Sequence, residues 1–205
     1  MTVIGLTGSF ASGKTQAAVF FKKHGAVVFD ADTAARRALR RGTAAYGAVL
    51  KMFGRDFLKK GGDLDRKKLA RHVFDHPKDL KKLNILIHPG VIVESLQAIE
   101  RFRRTEGVLV LDAPLLFEAR MEDLADYTVV VRTSPGKIFA HAKKRGIDRP
   151  LAEKILLSQW PIEKKVRRAD FVIDNDGSPA ALEKKVLEIL QTIKTTTEGN
   201  ARNGH

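Results

Sequence analysis

The sequence predicts an α/β fold: a five-stranded parallel sheet with helical connections. Three observations predict it. Five short apolar runs, at residues 2–6, 26–29, 108–111, 127–131 and 171–173, are continuous rather than alternating, as expected of strands buried on both faces. The stretches between them carry apolar residues at helical spacing, and parallel strands need crossovers of that kind. The first run leads into Gly8-Ser9-Phe10-Ala11-Ser12-Gly13-Lys14-Thr15, which reads G-x-x-x-x-G-K-[ST] in the strand–loop–helix order of a phosphate-binding P-loop.

The loop organises the chain. Gly8 and Gly13 let the backbone wrap a polyphosphate with its N–H groups turned inward. The helix that follows, over 16–23, adds the partial positive charge of its N-terminus. Lys14 is placed to reach the β- and γ-phosphates, and Thr15 offers a hydroxyl to Mg²⁺. The second strand ends in Asp30-Ala31-Asp32. Ligands of open parallel sheets sit beyond the carboxyl ends of the strands, so two carboxylates there are candidates for a general base or a metal contact. Asp32 directly precedes a helix expected over 33–41 and so also suits a capping role; Asp30 suits it less.

Between the second and third strands, about sixty residues, 44–107, read as helical, more than a crossover needs. Gly61-Gly62 interrupts them, Leu64-Asp65 opens a helix, and Pro77 starts the next. That helix is expected to end at His88-Pro89, with another running to about 104. His88 by itself fits a structural cap as readily as a ligand. This stretch reads as an inserted helical subdomain. The third strand ends at Asp112, which resembles the second, metal-associated carboxylate of P-loop enzymes, and Pro114 stiffens the loop after it. Helices over 135–144 and 151–159, with a basic one from Pro161 to Arg168, suggest a mobile lid. A final amphipathic helix starts at Ser178 or Pro179, and 195–205 is a polar stretch expected to fray.

Bulk properties bound the function. A chain of 205 residues suits one domain with inserted subdomains. The absence of cysteine excludes disulfides and thiolate metal sites. No apolar run reaches the roughly 18 residues of a membrane span, and there is no signal-peptide pattern, so a cytoplasmic location without a membrane partner is expected. The net charge of +13, from 37 Lys+Arg against 24 Asp+Glu, fits either a nucleic-acid binder or a cradle for polyanionic small molecules. The basic residues fall in dispersed pairs and triplets with no aromatic-interleaved stripe, so nucleic acid is not expected as the partner. Nothing in the pattern sets an oligomeric state.

The P-loop together with Asp30-Ala31-Asp32, Leu83-Asn84 with His88-Pro89, Pro114-Leu115-Leu116-Phe117-Glu118, Gln159, and Ala169-Asp170 through Asn175 resembles the dephospho-coenzyme A kinase family over nearly the whole chain. The resemblance implies a P-loop kinase fold and transfer of a phosphoryl group from ATP, with Mg²⁺, to the ribose 3′-hydroxyl of dephospho-CoA. It implies Asp32 as general base, with Lys14 and Arg145 as the catalytic cations. ATP would be held by Ala11, Ser12, Gly13, Lys14, Thr15 and Gln16, with Asn175 near the adenine. Asp30, Arg36, His88, Leu115 and Glu118 would lie on the acceptor side, and Thr15 and Asp112 would meet Mg²⁺. The insert, about 33–107, would bind dephospho-CoA, and about 134–168 would be the lid.

There are departures from the family pattern. Ala11 stands where Gly is usual, and Gln16 where Ser or Thr is usual. In the lid, Ile138 and His141 replace a Gln and an Arg, leaving Arg145 as the retained cation. The resemblance therefore also admits another small nucleotide or nucleoside kinase, or a nucleotide-binding protein impaired in transfer. Lys14, Thr15, Asp32 and Asp112, all intact, favour an active kinase.

Overall fold

A computed structural model describes residues 1–203, and of 197–203 the backbone alone. Its sheet runs in the order β2-β3-β1-β4-β5, with every pair parallel. The strands are β1 (Thr2–Gly8), β2 (Val27–Asp30), β3 (Val108–Asp112), β4 (Tyr127–Arg132) and β5 (Phe171–Asp174). All seven residues of β1 are buried, because it is the central strand and is covered on both faces. One face carries Ile4, Leu6, Val129, Val131 and Ile173 against Phe21 of α1 (Lys14–Lys23) and Val186 and Ile193 of α9 (Pro179–Asn203). The other carries Val3, Leu109 and Leu111 against Ile99 and Phe102. Each fully buried side chain of this kind contributes about 1.5–3 kcal/mol.

The register sets the site. Asp30 on β2 pairs with Asp112 on β3, and Asp112 pairs with Leu6 on β1, two residues before the loop. Three strands therefore deliver their last residues to one edge of the sheet.

The helices between β2 and β3 are α2 (Ala31–Ala38), α3 (Ala44–Phe53), α4 (Arg66–Asp75) and α5 (Pro77–Phe102). They bury their own cluster of Leu39, Val49, Leu64, Leu69, Val73 and Leu83. Two expectations are corrected here. The helix after β2 starts at Ala31, and Asp30, not Asp32, caps it by accepting from the Thr33 amide at 3.1 Å. Asp32 then projects from the first turn. The helix from Pro77 also does not end at Pro89 but runs through it for 26 residues. Proline removes one bond of the ladder, but Leu83 is buried before it and Val91 and Ser95 after it, so packing on both sides carries the helix across.

After β4 come α6 (Pro135–Lys144), α7 (Arg149–Leu157) and α8 (Ile162–Val166). Asp148 caps α7 through the Leu151 amide at 2.9 Å, and Lys154 pairs with Asp75, tying α7 to α4. The final helix continues to Asn203 through the stretch expected to fray; 204 and 205 lie outside the described residues. Among the described residues no helix is long and apolar enough to cross a membrane.

The turn from β4 into α6 is held by Asp176, whose carboxylate accepts from the Ser134 amide and the Thr133 hydroxyl, both at 2.9 Å. These bonds lower its pKa from 3.8 to about 2. A depressed carboxyl stabilises the fold fully above its unfolded value and ceases to do so as pH falls through its folded one. Asp176→Asn is therefore expected to flatten the pH dependence of stability between about 4 and about 2. Chemical denaturation of both proteins across that range is the check.

Candidate active site

The loop conformation is imposed by sterics. A Cβ on Gly8 would fall within 2.8 Å of Ser12 Oγ and closer still to the Val131 carbonyl. Gly13 has φ +91°, and a Cβ there would overlap the Asn175 carboxamide. Gly13 caps α1 with no side-chain acceptor; the Gln16 amide turns back to the Gly13 carbonyl at 2.9 Å, and the amides of Lys14 and Thr15 open the helix toward an anion. Ser9 Oγ and Ser12 Oγ are buried with no hydrogen-bond partner among the described residues, as in a cradle whose polar ligand comes from outside the chain.

The charged groups stand close around this cradle. Lys14 Nζ pairs with Asp112, both largely buried. Burial raises the Asp112 carboxyl above its ordinary value; Lys14 opposes the shift, and Asp30 and Asp32 add to it. Burial also raises Asp32, against Lys14, with Asp30 reinforcing the rise and Arg36 opposing it. Burial acts on Asp30 as well, but the hydroxyl of Thr33 at 2.7 Å, together with the Thr33 and Asp32 amides, outweighs it and lowers this carboxyl. The neighbouring carboxylates thus divide, with Asp30 held firmly ionised and Asp32 made more basic.

A cleft of about 400 Å³ brings Ala11, Ser12, Gly13, Lys14 and Thr15 together with Asp32, Leu115 and Arg145. Its far wall is Phe74, Leu80 and Asn84 of the insert, and Ile155, Ser158 and Gln159 roof it. A second cavity of about 320 Å³ opens on the other side of the loop, between Gly13, Gln16, His141, Arg145 and Asn175. Arg145 lines both, and among the described residues it has no ion-pair partner. A third, mostly apolar pocket holds Asp32, His88 and Leu115 beside Ile87, Val91 and Met121. Burial pushes the His88 imidazole below its usual pKa, against the pull of Glu118, and its Nε2 is buried with no partner among the described residues.

Of the residues expected at the site, Asp30, Arg36, Asp112 and Glu118 line none of these spaces. Asp30 caps α2, Arg36 acts on Asp32 through its charge, and Asp112 holds Lys14. Glu118 is a fastener. Its Oε1 accepts from the Trp160 amide at 2.8 Å and from Lys165 at 2.9 Å. Sequence reasoning missed Lys165, whose side chain is fully buried in α8 and also donates to the Pro114 carbonyl at 2.7 Å. It sits in a basic run with nothing local to separate it from its solvated neighbours. The grip on the loop was equally unread. Gln159 Oε1 accepts from the Phe10 amide at 2.9 Å, and Asn175 Nδ2 donates to the Ser12 carbonyl at 2.9 Å.

A P-loop at the edge of a parallel sheet, a buried cation–carboxylate pair and a basic carboxylate across the same cleft define a P-loop kinase. The family model described as dephospho-CoA kinase matches residues 2–181. A dephospho-CoA kinase of Gloeobacter violaceus is 40% identical over 189 residues, covering 92% of this chain and 91% of that protein. Among solved structures, TT1252 of Thermus thermophilus superposes with a TM-score of 0.77 at 31% identity, over 93% of this chain and 96% of that one. Dephospho-CoA kinase of Campylobacter jejuni superposes with a TM-score of 0.69 at 25% identity, over 95% and 98%. The chain belongs to the dephospho-CoA kinase family.

Removing one partner of the Lys165–Glu118 pair leaves a buried charge uncompensated. Lys165→Met is expected to destabilise the fold by about 3–5 kcal/mol. Adding Glu118→Gln should recover part of that loss, because the neutral amide no longer needs a cation. Urea unfolding of both single variants and the double variant measures both effects, and a double-variant loss equal to the sum of the two single losses would mean that the pair is not coupled.

Proposed function

We propose that this chain transfers the γ-phosphoryl group of ATP to the ribose 3′-hydroxyl of dephospho-CoA, giving coenzyme A and ADP, with Asp32 as general base. The observation that carries the reading is the placement of Asp32: it shares one cleft with the P-loop and Lys14, and its carboxyl is raised while that of Asp30 is lowered. A base is most effective when its pKa approaches the working pH, so the raised carboxylate is the better proton acceptor.

The chain's own groups supply the other parts. The loop amides and the N-terminus of α1 bind the β- and γ-phosphates. Lys14, kept in place by Asp112, meets the charge on the transferring group, and Arg145 adds a second cation from the lid side. The 3′-oxygen forms its bond to phosphorus as its proton passes to Asp32, and the bond to the β-bridging oxygen breaks, its electrons leaving with ADP. The insert wall of Phe74, Leu80 and Asn84 and the pocket around His88 bind the acceptor, and the 134–168 segment closes over the phosphates as a lid. Asn175, Gln16 and the second cavity take the rest of the nucleotide.

The donor set fits Mg²⁺. Thr15 and Asp112 would offer hard oxygens beside the P-loop, the kind of ligand Mg²⁺ takes together with substrate phosphates. Bound there, Mg²⁺ would neutralise charge on the β- and γ-phosphates.

With ATP and Mg²⁺, dephospho-CoA is expected to drive ADP release far better than adenosine, AMP, cytidine or CMP. Comparable rates with AMP or CMP would sink the reading. Asp32→Asn should lower kcat by about 10²–10⁴-fold with ATP binding nearly intact, because the carboxylate acts on the acceptor. Lys14→Ala should weaken both, because the cation touches the phosphates in ground and transition states. Steady-state kinetics with nucleotide titrations separates the two patterns, and an Asp32→Asn enzyme keeping more than about half of kcat would remove Asp32 as the base.

A further inference from the structure

Ala11 is a buried residue with a Cβ in the left-handed region, at φ +57°. Only one other non-glycine residue among those described, Arg120, has a positive φ. Such a conformation is unfavourable for any residue but glycine and persists where its surroundings enforce it. The enforcing contact here comes from far along the chain: His141 Nδ1 lies 2.9 Å from the Ala11 carbonyl oxygen. A carbonyl only accepts, so Nδ1 carries the proton and donates, in the neutral ring and in the imidazolium alike. On either side, the Phe10 amide is held by Gln159 and the Ser12 carbonyl by Asn175. Three consecutive loop residues are each fixed by one distant side chain, and the middle one is the residue whose conformation is least favourable.

We propose that His141 is a positioning residue for nucleotide binding: it fixes Ala11 in the left-handed conformation that turns the P-loop amides toward the phosphates. Although His141 stands where the family pattern has an arginine, its Nδ1 is engaged by the loop backbone. His141 and Ala11 then depend on one another, because a glycine at position 11 would reach the same conformation without a brace. The inference rests on the proposed function only in that the loop holds a nucleotide, not on which acceptor is phosphorylated.

The test is a double-mutant cycle read by calorimetric titration of ADP with Mg²⁺, independent of any acceptor. His141→Ala is expected to weaken ADP binding roughly fivefold to tenfold, the size of one unassisted left-handed residue or one lost hydrogen bond. The same substitution in the Ala11→Gly background should cost less than about twofold, since the brace is no longer needed. His141→Asn, whose side-chain N–H occupies nearly the place of Nδ1, should bind ADP within about twofold of the unaltered chain. His141→Phe keeps the ring volume without the donor and should behave as His141→Ala does, separating the bond from packing. Equal losses in the two backgrounds, or no loss in either, overturn the proposal. If the chain binds ADP with this pattern but does not phosphorylate dephospho-CoA, the functional reading fails while the brace stands.

Discussion

The ion pair between Lys14 and Asp112 is the interaction on which the rest of the site depends. A lysine that must meet a triphosphate cannot rest unpaired in a partly buried cleft, and a carboxylate at the end of a buried strand cannot rest unpaired either. Each makes the other tolerable. The pairing fixes the first residue of α1 to the last residue of β3, and the parallel register between them does the alignment. It also leaves Lys14 close enough to oppose the rise of both Asp32 and Asp112. The Lys14 charge in this way tempers the basicity of both neighbouring carboxylates.

Around this pair the structure is held by fasteners that cross large distances in the chain. Lys165 and Glu118 lock the short helix α8 to the loop after β3, and Lys165 reaches the Pro114 carbonyl that also accepts from Thr7 at 3.1 Å. Gln159, His141 and Asn175 hold the outer side of the P-loop. Two of these three lie between β4 and β5, in the segment that also roofs the cleft. The same segment that lines the cleft thus also grips the loop backbone, so the two are positioned together.

The far side of the cleft is built differently. Its walls are apolar residues of α4 and α5 with isolated polar atoms among them, chiefly Asn84 and the Nε2 of His88, which has no partner among the described residues. Burial keeps that imidazole neutral over a wider range, so it offers a hydrogen bond rather than a charge. Positive charge is concentrated beside the P-loop, where Lys14 and Arg145 line the cleft. The division suits the proposed reaction, which joins one highly charged substrate to a larger, partly apolar one.

The sequence by itself determined whatever depends on near neighbours. Continuous apolar runs mark β1 to β5 because a strand buried on both faces has no polar side to alternate with. The P-loop is legible because Gly8, Gly13, Lys14 and Thr15 act within one short stretch of chain, Asp112 because it ends a strand, and Asp32 because it lies two residues past the end of one. Tertiary structure decided the rest. Whether Asp30 or Asp32 caps α2 turned on where the helix began, and α5 passed Pro89 because of packing that no local pattern records. His141 meets Ala11 across 130 residues, Gln159 meets Phe10 across 149, and Lys165 meets Pro114 across 51. Their value comes from burial and from a partner brought close by the sheet, and neither property exists until the chain has folded.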